Sequence, residues 1–446
     1  MGAESSNGTV GPRRMLALAL PTLGVLIAEP LYLLFDMAVV GRLGALALAG
    51  LAVGGLLLAQ ASTQLTFLSY GTTARAARRH GAGDERGAVE EGVQATWLAL
   101  GVGAAILVVA QCVAAPVTNA VAGGGDIAAA ALDWVRIALF GVPPILVSMA
   151  GNGWLRGVQQ TRRPLLYVVA GLAVSAVLCP VLVHGLLGAP RMELPGSAVA
   201  NLVGQLVMAG LFLNALVRAR ISLRPRWSVM RAQLTLGRDL IVRSLAFQAC
   251  SVSAAAVAAR FGAATVAANQ LVLQLWFFLA LALDALAIAA QTLVGATLGA
   301  GDAAGARELA RRVTLWSELF AVALAAIFAA GAGVIPHLFT ADPDVLDRMR
   351  VAWWFFVALI PVAGLVFALD GVLLGAGDAA YLRNITMGSA LLGYLPLTWL
   401  ALVFGWGIAG IWWGMAGFMV LRAAAVAVRA LSGRWARVGA EVPVGA

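Results

Sequence analysis

LALALPTLGVLIAEPLYLLFDMAVVGRLG, Leu16 to Gly44, is the stretch on which the rest of the chain turns. It is apolar and long enough to cross a bilayer, which takes about 20 residues. Yet it carries two carboxylates, Glu29 and Asp36, and two prolines, Pro21 and Pro30. An acid at bilayer depth costs roughly 2.5–3.5 kcal/mol on insertion scales, so it is expected to face a cavity or a partner. Glu29 and Asp36 lie seven residues apart, about two helical turns, and so project from one face. Pro30 lies between them and removes one backbone donor. The combination points to a proton or cation site coupled to bending at Pro21 and Pro30. The competing reading is a helix kinked for packing, its acids paired to arginines at the ends.

Working outward, 61% of the chain is hydrophobic and 11% charged, which places all of it in the membrane class and leaves no room for a sizeable soluble domain. The N-terminus, MGAESSNGTVGPRR, has no cleavage pattern, so the first apolar run is expected to remain as a spanning helix. All 30 basic residues are arginine, and the net charge is +9. The arginines sit in loops between apolar runs, which reads as membrane orientation and argues against a nucleic-acid partner. Almost none is expected to be buried in a span. Cys112, Cys179 and Cys250 are isolated, and His80, His184 and His337 are scattered. No disulfide framework, metal site or cofactor is therefore expected.

Hydropathy gives about twelve spans, at 15–40, 46–70, 92–115, 129–155, 164–187, 196–217, 240–260, 266–296, 314–336, 350–373, 382–404 and 408–430. Arginine concentrates at the N-terminus and in the even-numbered loops, so both termini are expected in the cytoplasm, which an even number of spans requires. The longest polar connection, Arg218 to Arg238, separates two halves that repeat. GRLGA at Gly41 recurs as ARFGA at Ala259, GAGD at Gly81 as GAGD at Gly299, Pro143 as Pro361, and Gly153 and Gly157 as Gly371 and Gly375, all at an offset of 218 residues. The expected fold is an all-α integral membrane protein of about twelve transmembrane helices, in two six-helix lobes related by a pseudo-two-fold axis along the membrane normal. The divisions are a cytoplasmic tail 1–14, an N-lobe 15–217, a cytoplasmic linker 218–239, a C-lobe 240–430 and a cytoplasmic tail 431–446. Such paired bundles are a transporter architecture.

Two further acids fall inside spans, Asp284 and Asp370; the offset sets them opposite Thr66 and Asn152, and Asp36 opposite Ala254. The lobes are thus alike in build and unlike in chemistry. Gln64, Asn152, Asn201 and Gln291 are candidates to line a cavity, with interhelical hydrogen bonding as the competing role for each. No nucleophile–base pair or phosphate loop is present, which argues against an enzyme. GAGD is too short for a dinucleotide fingerprint and reads as a helix end plus a turn.

Four stretches, AEPLYLLFDMAVVGRLG from Ala28, GRDLIVRSLAFQ from Gly237, ANQLVLQLWFFLALALDALAIAAQTLVGATLGAGD from Ala268 and LDGVLLGAGD from Leu369, resemble the multidrug and toxic compound extrusion family, in its DNA-damage-inducible protein F-like branch. The resemblance implies a proton-driven antiporter that exports small organic cations or amphipathic drugs by alternating access. It further implies a monomer in a bacterial-type inner membrane, with no cofactor beyond the ion gradient. Asp36 matches the family's first-helix aspartate. Where relatives often carry Asn and Asp before a proline in the fifth span, this chain has Ser175 and Cys179 before Pro180, so Glu29 is a candidate to replace the missing acid. The acid that sodium-coupled relatives carry in the seventh span is absent between Ser244 and Ala259, which makes sodium coupling the weaker alternative. The other alternative is a flippase for a lipid-linked precursor, which would call for a basic cavity.

Overall fold

The computed structural model describes residues 11–63 and 66–441. Gln64 and the ends of both tails, 1–10 and 442–446, lie outside the described residues. Everything regular among the described residues is helical. The first half holds α1 (Pro12–Val40), α2 (Ala45–Thr63), α3 (Phe67–Gly81), α4 (Glu85–Ala122), α5 (Gly125–Ala138), α6 (Val142–Gly157), α7 (Arg162–His184) and α8 (Leu194–Arg218). The second holds α9 (Trp227–Arg260), α10 (Ala263–Gly299), α11 (Ala303–Ala330), α12 (Pro343–Ala376), α13 (Ala379–Ser389), α14 (Leu395–Phe404) and α15 (Gly407–Ser432). Among the described residues, eleven helical stretches are long and apolar enough to span a membrane, with a shorter apolar one at Ala45–Gln60. In that count α5 and α6 form one stretch, Gly125–Gly157, as do α13 and α14 in Ala379–Phe404. The chain is an all-α multi-pass membrane protein.

Several helices outrun the apolar segments that announce them. Hydropathy ends where polar residues begin, but a helix continues until its terminal amides are satisfied. Asp84 and Asp302, the last residues of the two GAGD copies, cap α4 and α11 by accepting from the amides of Gly87 at 2.8 Å and Gly305 at 2.7 Å. The glycine before each cap has a positive φ, +76° at Gly83 and +85° at Gly301, a conformation that L-residues with a side chain seldom adopt. GAGD is indeed a helix end and a turn. Asp342 caps α12 in the same way, at 2.9 Å from the amide of Asp344. The ninth span stops at Ala330, short of the 336 that hydropathy gives, because Gly331 ends α11.

The chain forms two compact units. One is Pro21–Gly237; the other is Arg238–Ala446 with the chain up to Leu20. Their boundaries fall inside the continuous helices α1 and α9. Each unit contains the same close helix crossing. In the first, a β-carbon on Gly153 of α6 would lie 2.4 Å from the carbonyl oxygen of Ser69 on α3, and in the second one on Gly371 of α12 would lie 2.2 Å from that of Ala287 on α10. One turn on, Gly157 meets the Thr73 carbonyl and Gly375 that of Gln291. All four glycines obey the 218-residue offset, as do the carbonyls beneath them. The repeated motif is therefore a packing device, in which the absent side chain lets two backbones touch.

The polar connection after α8 is strapped along α4 inside the first unit. Trp97 Nε1 donates to the Leu223 carbonyl at 2.8 Å, and Gln94 both donates to the Arg224 carbonyl (2.9 Å) and accepts from the Arg226 amide (2.7 Å). Below them, Arg75 grips Glu91 through two bonds of 2.7 and 2.8 Å, and Gln233 donates to Glu91 Oε2 at 2.9 Å. Arg75, Arg78, Arg156 and Arg422 are all buried. Of these only Arg422 falls inside an expected span, where it bonds the Asp370 carboxylate; Arg75, bonded to Glu91, lies beyond one.

Candidate functional site

The site in the first unit begins where α7 and α8 press together. A β-carbon on Gly171 or Gly204 would lie 2.7 Å from the other residue's carbonyl oxygen, and one on Gly196 would lie 2.8 Å from the Leu182 backbone. With the two backbones in contact, side chains of α7 and α8 reach one strip of α1. Ser175 Oγ donates to Tyr32 Oη at 2.5 Å. One turn along both helices, Cys179 Sγ donates to Asp36 Oδ1 at 3.1 Å. Ser197 Oγ reaches both carboxylate oxygens of Asp36, at 2.7 and 2.9 Å, and accepts from Trp134 Nε1 at 3.3 Å.

Asp36 is 1% exposed. Its partners are a hydroxyl and a thiol, and no arginine pairs with it among the described residues. This decides against a carboxylate locked to an arginine at a helix end. A hydroxyl both donates and accepts, so Ser197 can serve Asp36 in either protonation state, donating to the carboxylate or accepting from the acid. A guanidinium has no acceptor and would hold the charge in place. The arrangement can therefore take up and release a proton without leaving a buried polar atom orphaned.

The other sequence-derived residues divide between the units. In the first, Glu29 is exposed two turns before Asp36 and stands outside the Asp36 hydrogen-bonded set. Pro21 and Pro30 lie inside α1, which runs through both as one helix. Asn201 is half-buried one turn along α8 from Ser197, and Asn152 is half-buried on α6 with its Oδ1 lacking a hydrogen-bond partner among the described residues. In the second unit, Asp284 is half-buried and Gln291 buried, both on α10. Asp370, on α12, is bonded by Arg243 of α9 and Arg422 of α15, both through Nη2 to Oδ2. Ser197, Trp134 and Tyr32 escaped the sequence reading. A serine in a Gly/Ala-rich helix looks like a packing residue, whereas Tyr32 carried a usable signal, one turn before Asp36.

Comparison with known proteins agrees with this build. The MatE family model matches twice, over residues 21–181 and 240–400. The chain is 31% identical to Protein DETOXIFICATION 44, chloroplastic, of Arabidopsis thaliana over 95% of its length and 82% of the relative. It is 29% identical to DNA damage-inducible protein F of Escherichia coli K12, over 94% of this chain and 92% of that one. A MATE crystal structure in the bent conformation superposes with a TM-score of 0.85 at 20% identity, covering 95% of this chain and 94% of that one. A MOP superfamily transporter from Pyrococcus furiosus Vc1 gives 0.82 at 20% identity, covering 95% of each chain. A two-lobe, multi-pass helical transporter is the class that the fold defines. The chain belongs to the MatE family, the multidrug and toxic compound extrusion transporters, and is not an enzyme.

Proposed function

We propose that the chain is a secondary active exporter of toxic organic compounds, cationic or amphipathic, driven by proton entry at Asp36. The observation that carries this is a deeply buried carboxylate held by neutral, reorientable donors from three helices: Cys179 of α7, Ser197 of α8 and, through Ser197, Trp134 of α5. Burial makes the charged form costly, and a set of neutral partners lets that cost be relieved by protonation. Supporting the substrate class, a relative 23% identical over 95% of this chain, from Thermotoga maritima, is named a probable multidrug resistance protein.

In this reading the protein works in a bacterial-type cytoplasmic membrane as a monomer, both termini inside. Protonation of Asp36 from the outer face turns Ser197 from donor to acceptor, and the rearranged contacts among α1, α7 and α8 change how α1 bends at Pro30 and Pro21. The substrate leaves as the proton enters. Ser175, Cys179, Asn152 and Asn201 of the first unit, and Asp284, Gln291 and Asp370 of the second, are the residues assigned to the substrate path, with Glu29 as a second proton carrier. The test is dye efflux from proteoliposomes under imposed proton and sodium gradients, each applied alone. Efflux driven by the proton gradient is the expected result; efflux driven by sodium alone would refute the coupling.

A further inference from the structure

The Asp370 cluster in the second unit has a charge imbalance that proton-driven export leaves unexplained. Arg243 and Arg422 both bond the same oxygen of one carboxylate, Asp370 Oδ2. Two guanidiniums against one carboxylate leave one positive charge over, at a place where Arg422 and Asp370 are 3% and 5% exposed. The neighbouring acids are already committed, Asp239 to Arg383 at 2.6 Å and Asp378 to Arg429 at 2.6 Å. Nor is the cluster an inherited part of the repeated frame. At the 218-residue offset, Asp370, Arg243 and Arg422 face Asn152, Val25 and Gly204.

Buried charges in proteins are normally paired, and removing one partner from a buried pair costs several kcal/mol. Aromatic faces give partial relief here. The Arg422 guanidinium lies 5.1 Å from the Phe247 ring centre and 5.3 Å from that of Phe418, and the Arg243 guanidinium lies 5.6 Å from Phe247. Cation–π attraction of this kind offsets only part of the cost of an uncompensated buried guanidinium. Hydrogen bonding is also incomplete. The Nε donors of both arginines are buried without a hydrogen-bond partner among the described residues; Asp370 Oδ1 is likewise unpartnered, but as an acceptor it is not served by an added anion. The cluster is one oxyanion short, and the Arg243 side chain, 14% exposed, is its open side.

We propose that Arg243 and Arg422 form an anion-binding site, taking the oxyanion of an aromatic or amphipathic acid whose apolar part rests on Phe247. The shared chemistry is an oxyanion joined to an apolar group, available from a soluble carboxylic acid or from a phospholipid headgroup. The site is separate from Asp36 and stands whether or not that residue couples proton entry.

The test uses full-length protein in phosphatidylcholine nanodiscs, followed by thermal unfolding with benzoate, or with benzamide as the uncharged analogue. Benzoate should raise the midpoint and benzamide should not. Arg243→Gln, which leaves Arg422 and Asp370 as a balanced pair, should weaken the benzoate effect at least tenfold, whereas Asp36→Asn should leave it unchanged. Replacing part of the phosphatidylcholine with phosphatidylglycerol distinguishes the sources. An Arg243-dependent stabilisation by this lipid that cancels the benzoate effect identifies a headgroup, and an undiminished benzoate effect identifies a soluble acid. If neither benzoate nor phosphatidylglycerol stabilises the wild-type protein, or if Arg243→Gln responds as the wild type does, the proposal is overturned. The wild-type comparison of benzoate with benzamide needs no variant to fold.

Discussion

Replacing Gly371 with alanine puts a methyl group where the structure has a backbone. The new β-carbon would stand 2.2 Å from the carbonyl oxygen of Ala287 and 2.8 Å from its carbonyl carbon and Cα. None of these atoms can rotate aside, since all belong to α10. The helices must separate instead, which opens the α10–α12 crossing along its length. Overpacking of this kind costs about 1–3 kcal/mol, while alanine for glycine in an unobstructed helix gains about 0.5–1 kcal/mol. Gly101 provides that control, being helical with nothing within 4 Å of its would-be β-carbon. That gain is common to both variants and cancels, so the gap between them should be the overpacking cost, roughly 1–3 kcal/mol. Gly153→Ala should behave like Gly371→Ala, because its β-carbon meets the Ser69 carbonyl oxygen at 2.4 Å. The assay is size-exclusion chromatography of detergent-solubilised protein after heating. Gly371→Ala and Gly153→Ala should lose the monodisperse peak roughly 2–6 °C below Gly101→Ala. Equal midpoints for all three would refute the reading of the repeated glycines as close helix contacts.

Ser197→Ala takes from Asp36 a donor that reaches both its oxygens and leaves Trp134 Nε1 without its acceptor. A hydrogen bond to a charged group is worth about 1.5–3 kcal/mol, so proton-driven dye efflux should fall about tenfold or more while the protein still elutes as wild type. Arg75→Ala takes from the buried Glu91 its two-bond partner, leaving Gln233 at 2.9 Å and the more distant Arg79 at 3.7 Å, and should cost up to about 3–5 kcal/mol, seen as lost thermal stability. The double variant Arg75→Met with Glu91→Leu should recover most of it. Asp84→Ala and Asp302→Ala each remove an N-cap and should each cost about 0.5–2 kcal/mol. The Asp84 carboxyl, in the loop before α4, is held below its ordinary 3.8 by the Gly87 amide and Arg79. A depressed carboxylate stabilises the fold fully above its unfolded pKa and loses that contribution as pH falls through the lower folded value. The deficit of Asp84→Ala should therefore be constant from neutral pH down to about 4 and shrink only below it, as measured by midpoints across pH.

The repeat was legible because its signature residues are glycines under steric constraint, fixed in register by the carbonyls they touch. Asp36 was legible because an acid inside an apolar run has few reasons to be there. Its partners were not. Cys179 and Ser197 lie 143 and 161 residues away, and nothing local distinguishes Ser197 from the other small residues of α8. The burial of Arg422 was missed for a related reason. Counting arginine by loop assigns orientation, but Arg422 sits within the last span and pairs with a residue 52 positions earlier. Helix ends were misplaced wherever an aspartate cap carries a helix past its apolar segment, as at Asp84, Asp302 and Asp342.

The central claim is that Asp36 is the group through which protons drive export. Its most direct test is dye efflux from proteoliposomes reconstituted with Asp36→Asn and subjected to an imposed pH gradient. Asparagine keeps the size and can still accept from Ser197 and Cys179, so the variant should fold and elute as the wild type does. It should show no gradient-driven efflux and no proton release when substrate is added. Efflux at the wild-type rate under the same gradient would contradict the account.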